Sequence, residues 1–281
     1  MNNTDINSLY GLKYNPFLPD VPPENIFTQP GAEAFWLRVK SMAAQGGFAM
    51  ITGDPGTGKS KTLQQIAHQL DQIPDLTVGV MQRPQSNLGD FYRELGELFR
   101  VGLSPANRYG GFKALRERWK SHCRSTLLRP VLLIDEAQQV GSACLTELRL
   151  LQSHHFDSQS LLFTLLCGDN RLCERFRTAD LLPLGSRIGP RLILVPLLPE
   201  QLQDYLDFAL DQAGNGQLMT TELIRTLAAH AAGNLRVLNQ MAAELLTAAA
   251  ERNLPRIDES LFLELFAPAG PKPRRNRLTK P

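Results

Sequence analysis

Cysteine is scarce in this chain, and none of its four cysteines forms a C-x-x-C pair. This argues against a zinc site or a disulfide framework and favours reduced cysteines packed in a cytoplasmic protein. No apolar run approaches the roughly 18 residues that a membrane helix needs. The first residues also lack a basic start followed by an apolar stretch, so no secretory signal is predicted. We therefore expect a cytoplasmic protein with no membrane partner.

Charge is nearly balanced along the chain, with a formal net charge of +2, but it is unevenly distributed. Residues 271–281 contain five basic and no acidic side chains, which leaves 25 basic and 28 acidic residues elsewhere. A short basic tail on a slightly acidic body is typical of an arm that binds a polyanion. A solubilising, disordered end explains the same composition, and the sequence leaves both interpretations open.

A glycine-rich run stands between an apolar strand pattern at 48–52 and a helical pattern at 61–70. It matches G-x-x-x-x-G-K-[ST], the phosphate-binding loop. Its glycines let backbone N–H groups face phosphate oxygens, Lys59 supplies a charge to the β- and γ-phosphates, and Ser60 offers a hydroxyl to Mg²⁺. The predicted nucleotide-binding residues are Gly53, Asp54, Pro55, Gly56, Thr57, Gly58, Lys59, Ser60, Lys61 and Thr62.

The order of apolar and helical patterns predicts an α/β domain followed by a helical one. Strand patterns alternate with helical ones up to residue 197, which indicates a parallel sheet with helices on both faces. After Pro199 only helical patterns remain, so a small all-helical lid domain is predicted. The predicted segments are an irregular N-terminal extension at 1–30, the α/β domain at 31–197, the lid at 198–266 and a basic, disordered tail at 267–281. The predicted strands are 48–52, 76–81, 131–134, 161–167 and 192–195.

Two further strand patterns end in polar residues. After the strand at 131–134, Asp135 is predicted to hold the hydration shell of Mg²⁺ and Glu136 to act as the general base for water. Alternatively, the two acidic residues could mark the N-terminus of a helix, where negative charge is favourable. After the strand at 161–167, Asn170 or Asp169 is predicted to orient the attacking water, and a helix N-cap is the simpler alternative. The chain has no N-K-x-D guanine motif, so ATP is favoured over GTP.

Arginines near the last strand and in the helical region are candidates for the γ-phosphate. Arg187 and Arg191 lie just before the last strand pattern, where an arginine of a ring or filament could reach a neighbouring subunit as an arginine finger. Arg236 follows Gly233 at the start of a helical pattern, where it could touch the γ-phosphate of its own subunit. Surface salt bridges are the alternative for each.

Six motifs follow one another along the chain: Tyr10…Asn15-Pro16-Phe17, GDPGTGKS, LLIDEAQQ, Cys167-Gly168-Asp169-Asn170, Ser186-Arg187-Ile188…Arg191 and Gly233-Asn234-Leu235-Arg236…Asn239. Their order resembles the AAA+ ATPases of the ExeA/GspA-like group, which contains transposition regulators of the TniB, TnsC and MuB type. Two departures from the group stand out: Asp169-Asn170 replaces Gln-Pro, and Asn234-Leu235-Arg236 replaces Ile/Val-Pro-Arg.

The resemblance implies a P-loop AAA+ domain with a helical lid that binds ATP and Mg²⁺. It further implies an ATPase, stimulated by DNA or a partner protein, that assembles on double-stranded DNA as a homo-oligomeric ring or filament. Such a protein selects transposition targets and recruits a transposase or integrase. The alternative within the group is a secretion-system or envelope assembly ATPase that acts on protein partners. Relatives of that second kind carry a membrane helix and a cell-wall-binding module, which we do not expect here.

One helical pattern supports DNA binding independently of the resemblance. Apolar residues of 112–126 fall on one face, and basic residues fall on another, where they could follow the phosphate backbone. A solvated helix face is the alternative interpretation, and Glu117 lies among the bases. The candidate DNA contacts are Lys113, Arg116 and Lys120 of this helix, Arg108 just before it, and Arg274, Arg275 and Arg277 of the tail.

Overall fold

The computed structural model describes residues 3–81, 83–84, 87–103 and 107–266. The strands are β1 (Gly47–Gly53), β2 (Val78–Met81), β3 (Val131–Ile134), β4 (Ser153–His154), β5 (Gln159–Ser160), β6 (Phe163–Gly168) and β7 (Ile188–Leu194). Five of them form a parallel sheet in the order β2-β3-β6-β1-β7, and β4 and β5 form a separate antiparallel hairpin.

Twelve α-helices are assigned within the described residues. They are α1 (Asn3–Tyr10), α2 (Ala32–Gln45), α3 (Lys59–Asp71), α4 (Leu88–Leu98), α5 (Arg108–Thr126), α6 (Ser142–Gln152), α7 (Asn170–Arg175), α8 (Leu182–Gly185), α9 (Pro199–Ala213), α10 (Thr221–His230), α11 (Leu235–Glu251) and α12 (Glu259–Phe266). Short 3₁₀ turns occur at Pro23–Asn25 and Ala137–Gln139. No helix of the described residues combines the length and apolar character needed to cross a bilayer.

Helices cover the sheet on both faces, as the sequence predicts. On one face, Trp119 of α5 and Phe91 of α4 pack with residues of β3 and β6. On the other face, Phe35 of α2 and Ile66 of α3 pack against β1 and its neighbours. Strands buried on both faces read as continuous apolar runs, which is why β3 and β6 are recognisable in the sequence. The α/β fold with a parallel sheet and a helical C-terminal region is confirmed.

The last strand begins earlier than its apolar pattern predicts. The sequence indicates residues 192–195, whereas β7 starts at Ile188 and contains Pro190. Proline fits because β7 pairs only with β1, at the edge of the sheet, and its register against β1 shifts between Ile188 and Arg191. Edge strands and bulges tolerate a residue without a backbone N–H. Because a proline in a sequence normally argues against a strand, the apolar pattern does not predict the first part of β7.

The prediction of an irregular N-terminus is wrong for residues 3–10, which form α1. This helix buries Ile6 and Tyr10, one turn apart, and Gly11 follows it with φ +65°. A helix of eight residues has too few apolar positions to produce a clear periodicity. Its burial therefore depends on tertiary contacts that the sequence alone does not reveal.

The chain divides into two compact units. One is formed by Pro22–Leu197 together with Gly233–Arg236, and it contains the sheet. The other is formed by the described parts of 1–21, 198–232 and 237–281, and it is helical. Within the helical unit, Tyr10 anchors α1: its hydroxyl donates to the Leu254 carbonyl at 3.0 Å, and its own carbonyl accepts from Asn215 at 2.9 Å. The predicted domain boundaries at 31 and 198 stay predictions.

Candidate nucleotide-binding site

The glycine-rich loop closes around one carbonyl group. The Thr57 hydroxyl donates to the Asp54 carbonyl at 2.8 Å, and the Lys59 ammonium donates to the same oxygen at 2.9 Å. Gly56 and Gly58 adopt φ values of +87° and +94°, which favour glycine. These bonds and the left-handed glycines curl the backbone into a concave loop between β1 and α3. Such a loop presents backbone N–H groups to an anion at the start of a helix.

A side chain at either loop glycine would be strained by the positive φ and would displace side chains that approach from other parts of the unit. A Cβ on Gly56 would lie 2.6 Å from Cγ of Asn234, and one on Gly58 would lie 2.7 Å from Nε2 of Gln29. Gln29 is 5% exposed, so it forms part of the wall behind the loop. Sequence reasoning missed Gln29, which belongs to no motif and reaches the loop only through the fold.

The predicted nucleotide-binding residues of α3 differ in the environment of their side chains. Lys59 lies at its start, only 9% exposed, next to the exposed Ser60. By contrast, the Lys61 ammonium contacts Oε1 of Gln64 at 3.0 Å, and the buried Thr62 hydroxyl donates to the Gly58 carbonyl at 3.1 Å. The Lys61 and Thr62 side chains therefore make hydrogen bonds within this segment, and their predicted contact with the nucleotide stays a prediction that their backbone N–H groups could fulfil.

The acidic pair lies at the carboxyl end of β3, beside the strand that precedes Asn170. The Glu136 N–H donates to Oδ1 of Asp135 at 2.9 Å, and Glu136 has a left-handed backbone with φ 49° and ψ 38°. Cys167 of β6 is buried, which raises the pKa of its thiol, and the nearby Asp135 carboxylate raises it further. The thiol therefore stays protonated beside Asp135 at neutral pH.

Asn170 and Asp169 have different roles in the structure. Nδ2 of Asn170 donates to Oδ1 of Asp54 at 2.7 Å, so Asn170 contacts the glycine-rich loop. Asp169 instead caps α7: its carboxylate accepts from the Arg171 N–H at 3.0 Å and pairs with the Arg171 guanidinium at 2.6 Å. The N-cap alternative therefore describes Asp169, while the side chain of Asn170 reaches the loop.

The segment 233–236 lies against the glycine-rich loop. The Leu235 N–H donates to the Gly56 carbonyl at 3.0 Å, and Nδ2 of Asn234 donates to the Pro55 carbonyl at 3.2 Å. Oδ1 of Asn234 accepts from the Arg236 N–H at 3.0 Å, which holds the start of α11. The fold thus places exposed Arg236 two residues from a side chain that contacts the loop.

The two arginines near β7 contact other parts of the same unit. The Arg187 guanidinium pairs with Asp157 of the β4-β5 hairpin at 2.5 Å and also donates to the Pro183 carbonyl. Arg191 lies on β7, and its guanidinium donates to the Gly185 carbonyl at 3.3 Å. The ion pair of Arg187 is partly exposed, and exposed pairs contribute about 0–1 kcal/mol, so a competing partner could displace it.

Helix α5 retains only part of its predicted DNA-binding face. The Arg116 guanidinium donates to the carbonyls of Leu150, at 3.1 Å, and Leu151, at 2.8 Å, and so caps the end of α6. Lys120 pairs with Glu117 at 2.9 Å. We therefore remove Arg116 from the candidate DNA contacts; Arg108 and Lys113 are exposed. Arg274, Arg275 and Arg277 lie outside the described residues.

The residues fit a nucleotide with its Mg²⁺. The loop offers a glycine cradle and a buried ammonium, which suit phosphate groups. Within the described ranges, no three histidine, cysteine or carboxylate side chains form a metal-ligand cluster. Mg²⁺ bound to a nucleotide needs fewer protein ligands, because it keeps several waters and binds phosphate oxygens together with one or two protein side chains. Ser60 and Asp135 are of the chemical type to be those ligands.

Comparisons with known proteins agree with this geometry. A family model described as an AAA domain matches residues 42–176. General secretion pathway protein A of Aeromonas hydrophila is 29% identical over 254 residues, which cover 88% of this chain and 45% of that protein. The ATP-dependent target DNA activator B of Escherichia phage Mu is 25% identical over 256 residues, which cover 89% of this chain and 74% of that protein. The chain thus spans less than half the length of the Aeromonas relative.

Solved structures share the fold at low sequence identity. The Aeropyrum pernix ORC2 protein, in ADPNP–ADP complexes, aligns with a TM-score of 0.69 at 16% identity, over 89% of this chain and 70% of that chain. The Aeropyrum pernix ORC1 protein in complex with DNA aligns with a TM-score of 0.63 at 19% identity, over 89% and 67% of the two chains. The predicted resemblance is confirmed: residues 42–176 match the AAA domain model, the chain has the P-loop AAA+ fold, and its sequence is similar to general secretion pathway protein A and the phage target DNA activators.

Proposed function

We propose that this protein is an ATPase that assembles on double-stranded DNA in its ATP-bound state and regulates transposition. The observation that carries the ATPase proposal is that three neighbouring strands end at one edge of the sheet, where the residues after β1 and β6 are hydrogen-bonded to each other. Lys59 and Asn170 both bond Asp54, and the acidic pair follows the strand next to that of Asn170. This arrangement suits positioned phosphates beside a carboxylate that can activate water.

Each residue would have one task in hydrolysis. Lys59 and the loop N–H groups bind the β- and γ-phosphates, and Asn170 orients the attacking water or the γ-phosphate. Glu136 accepts a proton from that water as it attacks phosphorus, and the bond to the ADP oxygen breaks. Mg²⁺, held by Ser60 and Asp135, would neutralise phosphate charge. Arg236 is proposed as a second cationic contact, which is supported by the hydrogen bonds of the neighbouring Asn234 and Leu235 to the loop.

The DNA-binding part of the proposal is supported by a relative and by a surface. The phage relative is named as an ATP-dependent target DNA activator. Arg108 and Lys113 are exposed on α5, and lysine or arginine side chains of this kind contact phosphates without reading sequence. We propose that ATP promotes assembly of several subunits along the duplex, and that a transposase or integrase is recruited to that assembly.

Removing two exposed basic side chains of α5 should weaken DNA binding without affecting ATP binding. For the double variant Arg108→Ala/Lys113→Ala, we expect about tenfold lower affinity for duplex DNA at ~0.1 M salt in the presence of ATP. The slope of log K against log salt should fall by about two, one for each lost phosphate contact. Filter binding over a salt series, with ATP, with ADP and without nucleotide, measures both quantities.

The matched control is Arg38→Ala/Lys40→Ala, which removes one arginine and one lysine from exposed positions on α2. This control should retain the affinity and the salt slope of the unmodified protein. The DNA part of the proposal would be refuted if the unmodified protein bound DNA only weakly and with the same affinity with and without ATP. Equal losses in both double variants would show that net charge, rather than a surface on α5, governs binding.

Arg187 is proposed to complete the active site of a neighbouring subunit. The prediction concerns mixtures: Glu136→Gln subunits bind ATP, assemble and keep Arg187 but cannot hydrolyse ATP, whereas Arg187→Ala subunits bind ATP and keep Glu136 but lack the finger. Mixed on DNA, the two variants should show ATP hydrolysis that neither shows alone, because mixed neighbours assemble intact sites. A phosphate-release assay over a range of mixing ratios measures this. Activity that stays at the sum of the separate variants would exclude a role between subunits.

A secretion or envelope assembly ATPase is the second candidate function. It is favoured by the relative with 29% identity, which is named as a general secretion pathway protein. Such a protein would act on protein partners, and DNA would not stimulate its ATP hydrolysis. This candidate would be favoured if duplex DNA left the rate of ATP hydrolysis unchanged while an added envelope protein fraction raised it.

A further inference from the structure

Gln138 is held in one place by contacts on both its backbone and its side chain. It lies in the 3₁₀ turn Ala137–Gln139, and its carbonyl accepts from the Arg175 guanidinium of α7 at 2.6 Å. Its side chain lies over Gly168 at the end of β6. A Cβ on Gly168 would lie 2.5 Å from Oε1 of Gln138, so a side chain at residue 168 would push the amide out of its present position.

The amide of Gln138 makes two hydrogen bonds that define its orientation. Nε2 donates to Oε2 of Glu136 at 2.5 Å, and Oε1 accepts from the Asp169 N–H at 3.2 Å. A carboxylate can only accept and a backbone N–H can only donate, so the amide cannot be reversed without losing both bonds. The side chain is therefore a fixed bridge between the acidic pair and the corner that joins β6 to α7.

That corner is also the one that contacts the glycine-rich loop. Asn170 follows Asp169 directly, and its amide donates to Asp54 at 2.7 Å. A path thus runs from Asp54 by a hydrogen bond to Asn170, along the backbone to Asp169, and by two further hydrogen bonds through Gln138 to Glu136. The Gln138 bond falls on Oε2 of Glu136, and Gln139 approaches the same oxygen at 3.5 Å, so these amides restrain the carboxylate without occupying Oε1.

We propose that Gln138 is a positioning residue for ATP hydrolysis. Its amide holds Oε2 of Glu136 so that the other carboxylate oxygen is presented to the attacking water. The hydrogen bond that Gln138 accepts from the Asp169 N–H fixes the position of this Glu136 oxygen relative to Asn170 and the phosphate-binding loop. This inference rests on the proposed function, because it requires Glu136 to be the group that activates water.

Three variants remove this restraint in different ways. Gln138→Ala removes both hydrogen bonds. Gln138→Glu keeps the size and the acceptor for the Asp169 N–H but replaces the donor to Glu136 with a second carboxylate. Gly168→Ala leaves Gln138 intact but displaces its Oε1. We expect each variant to lower kcat about ten- to a hundredfold, the range for a hydrogen bond to a charged group, while KM and the affinity for ATP stay within about twofold.

Two controls separate positioning from general damage. Gln45→Glu makes the same chemical change at an exposed position at the end of α2 and should leave kcat unchanged. Gln138→Ala should have little further effect in a Glu136→Gln background, because groups that act through one another are non-additive. Residual turnover under single-turnover conditions provides the measurement in that background.

The outcomes distinguish the inference from the proposed function. If Glu136→Gln turns over normally, Glu136 is not the base, and both the catalytic assignment and the role of Gln138 are refuted. If Glu136→Gln stops turnover but all three variants keep the kcat of the unmodified protein, only the inference is overturned. A parallel loss of ATP affinity in the three variants, or full additivity with Glu136→Gln, would identify Gln138 as a structural residue and would also overturn it.

Discussion

Lys59→Ala should abolish ATP binding at the concentrations at which the unmodified protein is saturated. The Lys59 ammonium is nearly buried and donates to the Asp54 carbonyl, so the loop already holds it where phosphate oxygens would lie. Two charge-assisted hydrogen bonds to phosphate contribute about 1.5–3 kcal/mol each, which corresponds to an affinity loss of roughly 10²–10⁴-fold. Assembly on DNA should be lost together with ATP binding, because the proposal makes assembly depend on the nucleotide.

Thermal unfolding with and without ATP measures this effect directly. At about 100 times its dissociation constant, ATP should stabilise the unmodified protein by about 2.7 kcal/mol, which raises Tm by about 5–10 °C. Lys59→Ala should show no such rise, while its Tm without ATP stays close to that of the unmodified protein. Lys40→Ala, at an exposed position on α2, should retain the full shift. DNA assembly that persists in Lys59→Ala would separate assembly from nucleotide binding and refute that link.

Glu136→Gln should stop turnover and leave ATP binding intact. The substitution keeps the size of the side chain and removes only its capacity to take a proton from water. Loss of a general base lowers the rate by about 10²–10⁴-fold. Because ATP would then persist, assemblies on DNA should survive for much longer than those of the unmodified protein. Phosphate release gives the rate, and electron microscopy at successive times gives the persistence of the assemblies.

The matched control for Glu136→Gln is Glu33→Gln, the same change at an exposed position on α2. It should leave both the rate and the lifetime of the assemblies unchanged. A Glu136→Gln protein that releases phosphate at the normal rate would exclude Glu136 as the base. One that fails to bind ATP would instead assign Glu136 a structural role in the site.

The motifs of this site were predictable where chemistry constrains adjacent residues. The glycine run needs its glycines in order, because the backbone must reach left-handed conformations at Gly56 and Gly58. The acidic pair was recognisable because it follows a buried apolar strand. Parallel strands end at one edge of a sheet, so the pair and Asn170 could be assigned to the same site before their contacts were known.

The contacts that sequence reasoning missed depend on tertiary proximity. Gln29, Asn234 and Gln138 reach the loop or the acidic pair from distant or irregular segments, and no local pattern marks an amide as a contact. Arg116 illustrates the opposite error. Its helical spacing places it among basic neighbours, but spacing cannot reveal that the carbonyl groups at the end of α6 lie within reach.

The left-handed backbone of Glu136 implies a conflict between stability and activity at this position. A residue with a Cβ costs about 1–2 kcal/mol in that conformation, whereas glycine adopts it freely and asparagine more readily than glutamate. A chain selected for thermal stability alone would therefore favour glycine or asparagine at residue 136, at the expense of the carboxylate. Stability screens of this protein would consequently enrich changes at the site that its proposed chemistry can least tolerate.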